Sequence, residues 1–505
     1  MRKPLLSLAA VVLVATACSS SSAPSGGYVR PPDPQHHQPT SPPRGAPATP
    51  YDGVTFEDPG RNPTTDTDED RVSTFAMDVD TASYTIAQRF VADGNLPDPA
   101  SIRVEEWVNA FDQGYTAPHD ATFAIAADGA PTPFKSQGEI LLRVGIKARE
   151  SSERARPAAA LTFVIDTSGS MAREDRLELV KDSLRVLVRA LGRGDSIAVV
   201  TFGDDARVVL RPTRATDEAT ILAAIDRLQP GGSTNLEAGL RLGYSLARET
   251  LLGDGGIDRV ILASDGVANV GLTDADGILR QIDEDAAAGI ELVSVGVGMG
   301  NYNDVLLEQL ADQGDGFYAY VNDLAEAHRL FTEDLVGTLQ TVALDAKVQV
   351  EFDPAVVATY RLIGYENRAI ADRDFRDPGV DAGAIGAGHS VTALYVLTLR
   401  EGAGRDSTLG TVRLRWTEPD ATRESKLDRA IWARDVASRF EVADPAFQLD
   451  AIVAAAAEVL RGDEVAGDDL HHVAEVARRA SRDLPGTDEV HEFLDFLGRA
   501  DELGG

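Results

Sequence analysis

Three short stretches of the chain carry oxygen-bearing side chains at spacings a hard cation could use. Asp166-Thr167-Ser168-Gly169-Ser170 follows the apolar run Leu161-Thr162-Phe163-Val164-Ile165, so a carboxylate and two hydroxyls alternate along a loop leaving a buried strand. Gly169 lets that loop bend enough to aim the three oxygens into one space. Gly231-Gly232-Ser233-Thr234-Asn235 opens a helical pattern, which puts Thr234 at the positive end of a helix dipole. Ser264-Asp265-Gly266 leaves another buried strand, Val260-Ile261-Leu262-Ala263. Asp166, Ser168, Ser170, Thr234 and Asp265 together offer only oxygen ligands and two negative charges. That is the donor set of a divalent metal: Mg2+ fits first, because it takes an octahedron and keeps several waters, with Mn2+ and Ca2+ as alternatives. Five protein oxygens, some acting through water, leave a coordination position that an Asp or Glu carboxylate from a partner protein would fill. Asp, Ser and Gly also make ordinary turns. The metal reading therefore rests on the three stretches occurring together, in order, each at a strand end.

The elements that must position these residues are legible from periodicity. Leu161–Ile165, Ile197–Val200, Val260–Ala263 and Leu292–Val295 read as short buried strands, and between them Leu177, Val180, Leu184, Leu187 and Leu191 make one helical face, with further helical patterns at 216–228 and 235–250. Buried strands alternating with helices mean a mostly parallel sheet covered on both faces, a doubly wound Rossmann-like α/β domain over 156–340. Ligands of such sheets bind beyond the carboxyl ends of the strands, where the three motifs fall. Before it, 66–155 reads as helices followed by strands; after it, 341–505 reads as strands and then, from 427, helices. The alternating strands on either side are expected to pair into one β-sandwich-like part, with the α/β domain inserted and helices at the ends.

With the motifs in place, the chain resembles a known family. Asp166-x-Ser168-x-Ser170, Thr234 in a glycine-rich helix start and Ser264-Asp265-Gly266 are similar to the metal-ion-dependent adhesion site of von Willebrand factor type A domains. The resemblance implies Asp166, Ser168, Ser170, Thr234 and Asp265 as ligands, direct or through water. The stretch Ser73–Tyr84 resembles the N-terminal extension of bacterial lipoproteins carrying such a domain, and Tyr360–Arg368 with Gly386-Ala387-Gly388-His389 resembles their C-terminal extension. Near Ala384 the pattern departs, where an acidic residue is expected.

The front end reads as an address. Arg2 and Lys3 precede an apolar run from Leu5 to Ala15, too short for a bilayer, which needs about 20 residues. Val14-Ala15-Thr16-Ala17-Cys18 resembles a lipobox, implying removal of 1–17 as a signal peptide and lipidation of Cys18. The proline-, serine- and glycine-rich stretch to residue 65 reads as a tether, and His36 and His37 within it as polar filler. Cys18 is the single cysteine, which excludes internal disulfides and cysteine-based zinc sites. Acidic residues number 81 against 48 basic, a net charge of -33, which argues against a nucleic-acid partner.

Other motifs give less. Asp66–Asp70 begins like a calcium loop, but Arg71 and Met77 stand where an EF-hand needs glycine and glutamate. Asp78 and Asp80 read as organising a local turn or cap. Arg193-Gly194-Asp195 reads as a short helix-to-strand connection, and adjacent His471 and His472 lack a zinc-protease spacing. The serines of the site have no Gly-x-Ser-x-Gly setting and no histidine in that part of the chain to act as base, so no catalytic residue is assigned and no enzyme is expected. The expectation is a lipid-anchored, extracytoplasmic, metal-dependent protein-binding module at the cell surface or in the periplasm. The alternatives are a metal-dependent envelope enzyme or its subunit, and a structural envelope protein whose metal staples a loop.

Overall fold

The computed structural model describes residues 56–504 except 78–79, 135–137, 151–156, 253–255, 266–277, 279–288, 299–303, 315, 322, 329, 331–340, 378–383, 420–423 and 464–468. The signal segment, Cys18 and the tether as far as residue 55 lie outside the described residues, as does Gly266.

The α/β part is a six-stranded sheet. β5 (Ala159–Asp166) lies at its centre between β6 (Ser196–Phe202) and β8 (Ile257–Ser264), and both pairings are parallel. β9 (Glu291–Val297) and β10 (Tyr318–Val321) extend it in parallel on one side, while β7 (Ala206–Arg214) closes the other as an antiparallel edge. Burial on both faces explains the continuous apolar runs. Leu177, Leu184 and Leu187 of α3 (Arg176–Ala190) and Ile221 of α4 (Glu218–Ile225) cover one face. Leu236, Leu240 and Tyr244 of α5 (Leu236–Arg248) and Leu307 and Leu310 of α6 (Asp304–Gln313) cover the other. The short α7 (Leu324–His328) follows β10.

The strands flanking the α/β part pair with each other, as expected. β4 (Glu139–Ala148) runs antiparallel to β14 (Ser390–Leu399), in a sheet ordered β1 (Thr65–Asp66), β12 (Val357–Ile363), β14, β4, β3 (Phe123–Pro131). A second sheet holds β13 (Ala384–Gly386), β11 (Thr341–Phe352), β15 (Thr408–Thr417) and β16 (Glu424–Trp432), with β2 (Val72–Ala76) added to β11. Leu142, Val144 and Ile146 of β4 and Val348, Val350 and Leu414 of the second sheet share one core. The chain therefore leaves this sandwich after β4, builds the α/β sheet, and returns with β11.

Two elements depart from the sequence expectation. The first stretch of 66–155 is not helical: β1 and β2 come before the helices α1 (Ala82–Ala92) and α2 (Val104–Asn109). Five residues are too few to display a period against strong helical neighbours, and β2 is fixed by its partner β11, remote in sequence. The chain is also not helical from 427: β16 runs to Trp432, with Lys426 and Asp428 exposed and Leu427 and Ile431 turned inward. Its charged outer face masks a period of two. The terminal helices are α8 (Pro445–Leu460), α9 (Leu470–Ala480) and α10 (Asp488–Gly504), and Asp444 caps α8 by accepting from Ala446 N and Phe447 N. No described helix is long and apolar enough to cross a membrane.

Helix α1 has two working faces. Ala82, Ile86 and Phe90 pack into the α/β core, while Tyr84, Ala87 and Val91 pack with Trp107 of α2 and Phe493 and Phe496 of α10. Two apolar faces need two partners, and α1 packs against both the α/β core and the terminal helices.

Candidate metal centre

The carboxyl ends of β5 and β8 deliver the site. Asp166 is the last residue of β5 and Asp265 the first after β8, and both are fully buried. The turn after Asp166 closes on it: Ser168 N donates to Asp166 Oδ1 at 2.7 Å, and Ser168 Oγ and Ser170 Oγ share a hydrogen bond of 2.9 Å. Ser264 Oγ donates to Asp166 Oδ2 at 2.8 Å, which ties the two strand ends together. Burial pushes the Asp166 carboxyl up to about 6; the charge of Asp265 adds to this, and the hydrogen bonds from Ser168 and Ser264 oppose it.

Thr234 arrives on a separate segment that is bonded to this turn. Gly231 N donates to Thr167 O at 2.6 Å, Gly169 N to Gly232 O at 3.0 Å, and Asn235 N to Gly203 O at 3.0 Å. Thr234 is buried immediately before Asn235, whose side chain caps α5 by accepting from Ala238 N. Asp204 holds the segment from the solvent side, its Oδ1 accepting from Ser233 N at 2.8 Å and Ser233 Oγ at 2.7 Å. Gly232 has φ +92°, and a Cβ there would come within 3.0 Å of Asp204 Oδ2, so the turn wants glycine on both counts. All five residues expected from the sequence thus lie on connected loops at one end of the sheet.

The donors fit a hard cation chemically. They are carboxylates and hydroxyls, and among the described residues Asp265 Oδ1 is buried without a hydrogen-bond partner. Three further side chains contribute to the site without having been expected as ligands: Ser264, Asp204 and Arg176, the last with Nη1 2.9 Å from Asp265 Oδ2. Ser264 stood within a recognised motif, and its position at a strand end could have pointed inward.

A second acidic group lies elsewhere. Among the described residues, Asp80, Glu106 and Glu308 place carboxylate oxygens within 4.8 Å of one another. Two guanidiniums already reach them: Arg103 Nη2 lies 2.8 Å from Glu308, and Arg368 Nη2 2.8 Å from Asp80. Asn367 Nδ2 also donates to Glu308 Oε1 at 2.9 Å. This is a knot of ion pairs joining α2, α6 and the loop after β12. Of the two residues expected to organise a local turn or cap, Asp80 makes contacts far along the chain and Asp78 lies outside the described residues.

The remaining motifs have structural explanations. Asp195 of the Arg-Gly-Asp stretch is buried and accepts from Ala159 N at 2.8 Å and Gly192 N at 2.7 Å, so it fastens the loop before β6 to the start of β5. His471 is exposed and pairs with Asp501 at 3.1 Å.

A parallel sheet with an antiparallel edge, oxygen donors on the loops at its carboxyl end and helices on both faces defines an α/β domain of the von Willebrand A kind. Comparison with known families agrees: residues 160–333 match the von Willebrand factor type A domain, 51–142 a family described as von Willebrand factor, and 337–503 one described as "Uncharacterized protein YfbK, C-terminal". The chain is 41% identical over 346 residues to YfbK of Escherichia coli (strain K12), across 67% of this chain and 60% of that protein's length. It is 27% identical over 164 residues to human inter-alpha-trypsin inhibitor heavy chain H2, covering 31% of this chain and 17% of that one. A solved structure described as von Willebrand factor type A from Catenulispora acidiphila is similar with a TM-score of 0.44 at 18% identity, over 77% of this chain and 91% of that chain.

Proposed function

We propose that this chain is an exported, lipid-anchored binding protein. In this reading Asp166, Ser168, Ser170, Thr234 and Asp265 hold a divalent cation, Mg2+ by preference, and a partner protein completes the coordination with an Asp or Glu oxygen. The observation that carries it is the pair of buried carboxylates at the ends of β5 and β8, one of them with an oxygen that no described residue bonds. The Asp166 carboxyl, pushed toward protonation by burial and then by the charge of Asp265, is relieved by a cation placed beside it. Bound there, the cation would supply a concentrated positive charge at the end of the sheet. The hydroxyls of Ser168, Ser170 and Thr234 are neutral ligands, so a divalent ion keeps attraction to spare for an incoming carboxylate.

Binding is favoured over catalysis because the serines have no histidine base; the chain has none between His119 and His328. Anchoring is supported by the apolar run Leu5–Ala15 and the small residues before Cys18, which would place the body on the extracytoplasmic face of a membrane with its acidic surface held off by the tether.

The test is capture from an envelope extract with immobilised full chain, in Mg2+, in EDTA, and with Asp166→Ala in Mg2+. The proposal expects one protein retained by the native chain in Mg2+ and lost in the other two arms. Equal retention in all three arms, or none, would overturn metal-completed binding and leave any cation a structural staple.

A further inference from the structure

We infer that Arg176 sets the charge and the metal selectivity of the site at the ends of β5 and β8; the inference rests on the metal reading above. Arg176 opens α3, is 2% exposed, and places Nη1 2.9 Å from Oδ2 of the fully buried Asp265. A cation in the first turn of a helix opposes the helix dipole, and a guanidinium out of water needs a carboxylate partner. Its position therefore has to be held, and Asp265 and Gly298 both contribute to holding it. Asp265 supplies the charge. Gly298, after β9, supplies the room: its φ is +75°, and a Cβ there would fall 2.0 Å from Arg176 Nε. The ends of β8 and β9 and the start of α3 thus converge on one guanidinium.

Two consequences follow for a bound cation. The first is charge. Asp166, Asp265 and Arg176 together carry one net negative charge where the two carboxylates alone carry two. A divalent ion is then held less tightly but leaves the trio net positive, which favours an anionic ligand from outside.

The second consequence is geometry. Asp265 has Oδ2 committed to Arg176 and offers only Oδ1. Asp166 accepts a proton donor on each oxygen, Ser168 N on Oδ1 and Ser264 Oγ on Oδ2. Neither carboxylate is set up to chelate with both oxygens. Mg2+ and Mn2+, which take six ligands and keep water, suit such a site; Ca2+, which takes six to eight and often a bidentate carboxylate, does not. Arg176 acts through Asp265 and is a positioning residue rather than a ligand.

The experiment is calorimetric titration of the full chain with MgCl2 and with CaCl2, alongside melting temperatures in EDTA and in each salt, for the native protein, R176Q and R176K. With the guanidinium gone, Mg2+ binding should tighten on the order of tenfold from the lost repulsion. Ca2+ should gain more than Mg2+, because Asp265 can then chelate. R176Q should melt lower than the native chain in EDTA and recover most of the difference in excess Mg2+. R176K, which keeps the charge, should stay near native affinity for Mg2+.

A merely structural arginine would lower the melting temperature equally with and without metal. That result would overturn the inference, as would unchanged Mg2+ and Ca2+ affinities in R176Q, or a variant that fails to fold even in excess Mg2+. A native chain whose melting and heats ignore both salts would instead overturn the metal reading itself.

Discussion

Asp80 Oδ2 lies 2.8 Å from Arg368 Nη2, which joins the segment before α1 to the loop after β12 across most of the sequence. The other oxygen, Oδ1, accepts from Tyr318 N at 2.9 Å, at the first residue of the edge strand β10. One buried carboxylate thus binds the α/β sheet to the C-terminal part of the sandwich. Removing one member of a buried ion pair costs about 3–5 kcal/mol, because the partner is left charged and out of water. Asp80→Ala should therefore lower stability by about that amount in urea unfolding. A loss under about 1 kcal/mol would mean that Arg368 finds another acceptor.

Glu106 gives the same knot a pH dependence. Its side chain accepts from Ser83 N at 2.8 Å, with Arg103 at 3.7 Å and Glu308 and Glu105 nearby. Burial pushes its carboxyl up to about 8; Arg103 pulls it down, and Glu308 and Glu105 push it further up. A carboxyl that binds its proton more tightly in the folded state contributes stability that is complete below its ordinary value of 4.5 and is lost as the pH rises through about 8. Glu106→Gln fixes the neutral form. Relative to the native chain, the variant should therefore gain stability as the pH rises from about 4.5 to about 8, and the difference should level off above that. Melting curves at several pH values would show it, and a constant difference would rule it out.

Asp195 shows why a recognised tripeptide need not be a recognition site. Its carboxylate accepts the amides of Ala159 and Gly192 in a buried position, so it is unavailable to a receptor. Asp195→Ala leaves two amides without their acceptor, at about 1–3 kcal/mol for each buried group left unpaired. The variant should unfold at lower denaturant while the partner retained in Mg2+ stays the same. Loss of capture at unchanged stability would contradict this account.

How much of this was legible in the sequence depends on how local each signal was. The parallel strands announced themselves because both faces are buried, so Val260–Ala263 is apolar throughout and Leu161–Ile165 is apolar but for Thr162. The site was legible for the same reason: Asp166 and Asp265 stand where those runs stop. What was not legible depended on contacts between distant segments. β2 is a strand because β11 lies beside it, and β16 conceals its period behind charged outward residues. Arg176 reads as one more charge on an amphipathic helix, since nothing local indicates that Asp265 and Gly298 will enclose it. Helix α1 was found by its period, but not its second face, because two apolar stripes on one helix look like one broad stripe.

Ser170 separates the structural from the metal-binding role of the site. It is half-buried and shares a hydrogen bond of 2.9 Å with Ser168 Oγ. A single neutral hydrogen bond of this kind is worth about 1 kcal/mol net. Ser170→Ala should therefore melt within a few degrees of the native chain in EDTA. If the hydroxyl is a ligand, its loss weakens the cation's hold, and the stabilisation that saturating Mg2+ confers shrinks by RT times the logarithm of the affinity ratio, about 1.4 kcal/mol for a tenfold loss. The expected result is two melting curves that nearly coincide without metal and separate as Mg2+ is added. Curves that stay together at every Mg2+ concentration would remove Ser170 from the ligand set, leaving it a turn former beside Asp166.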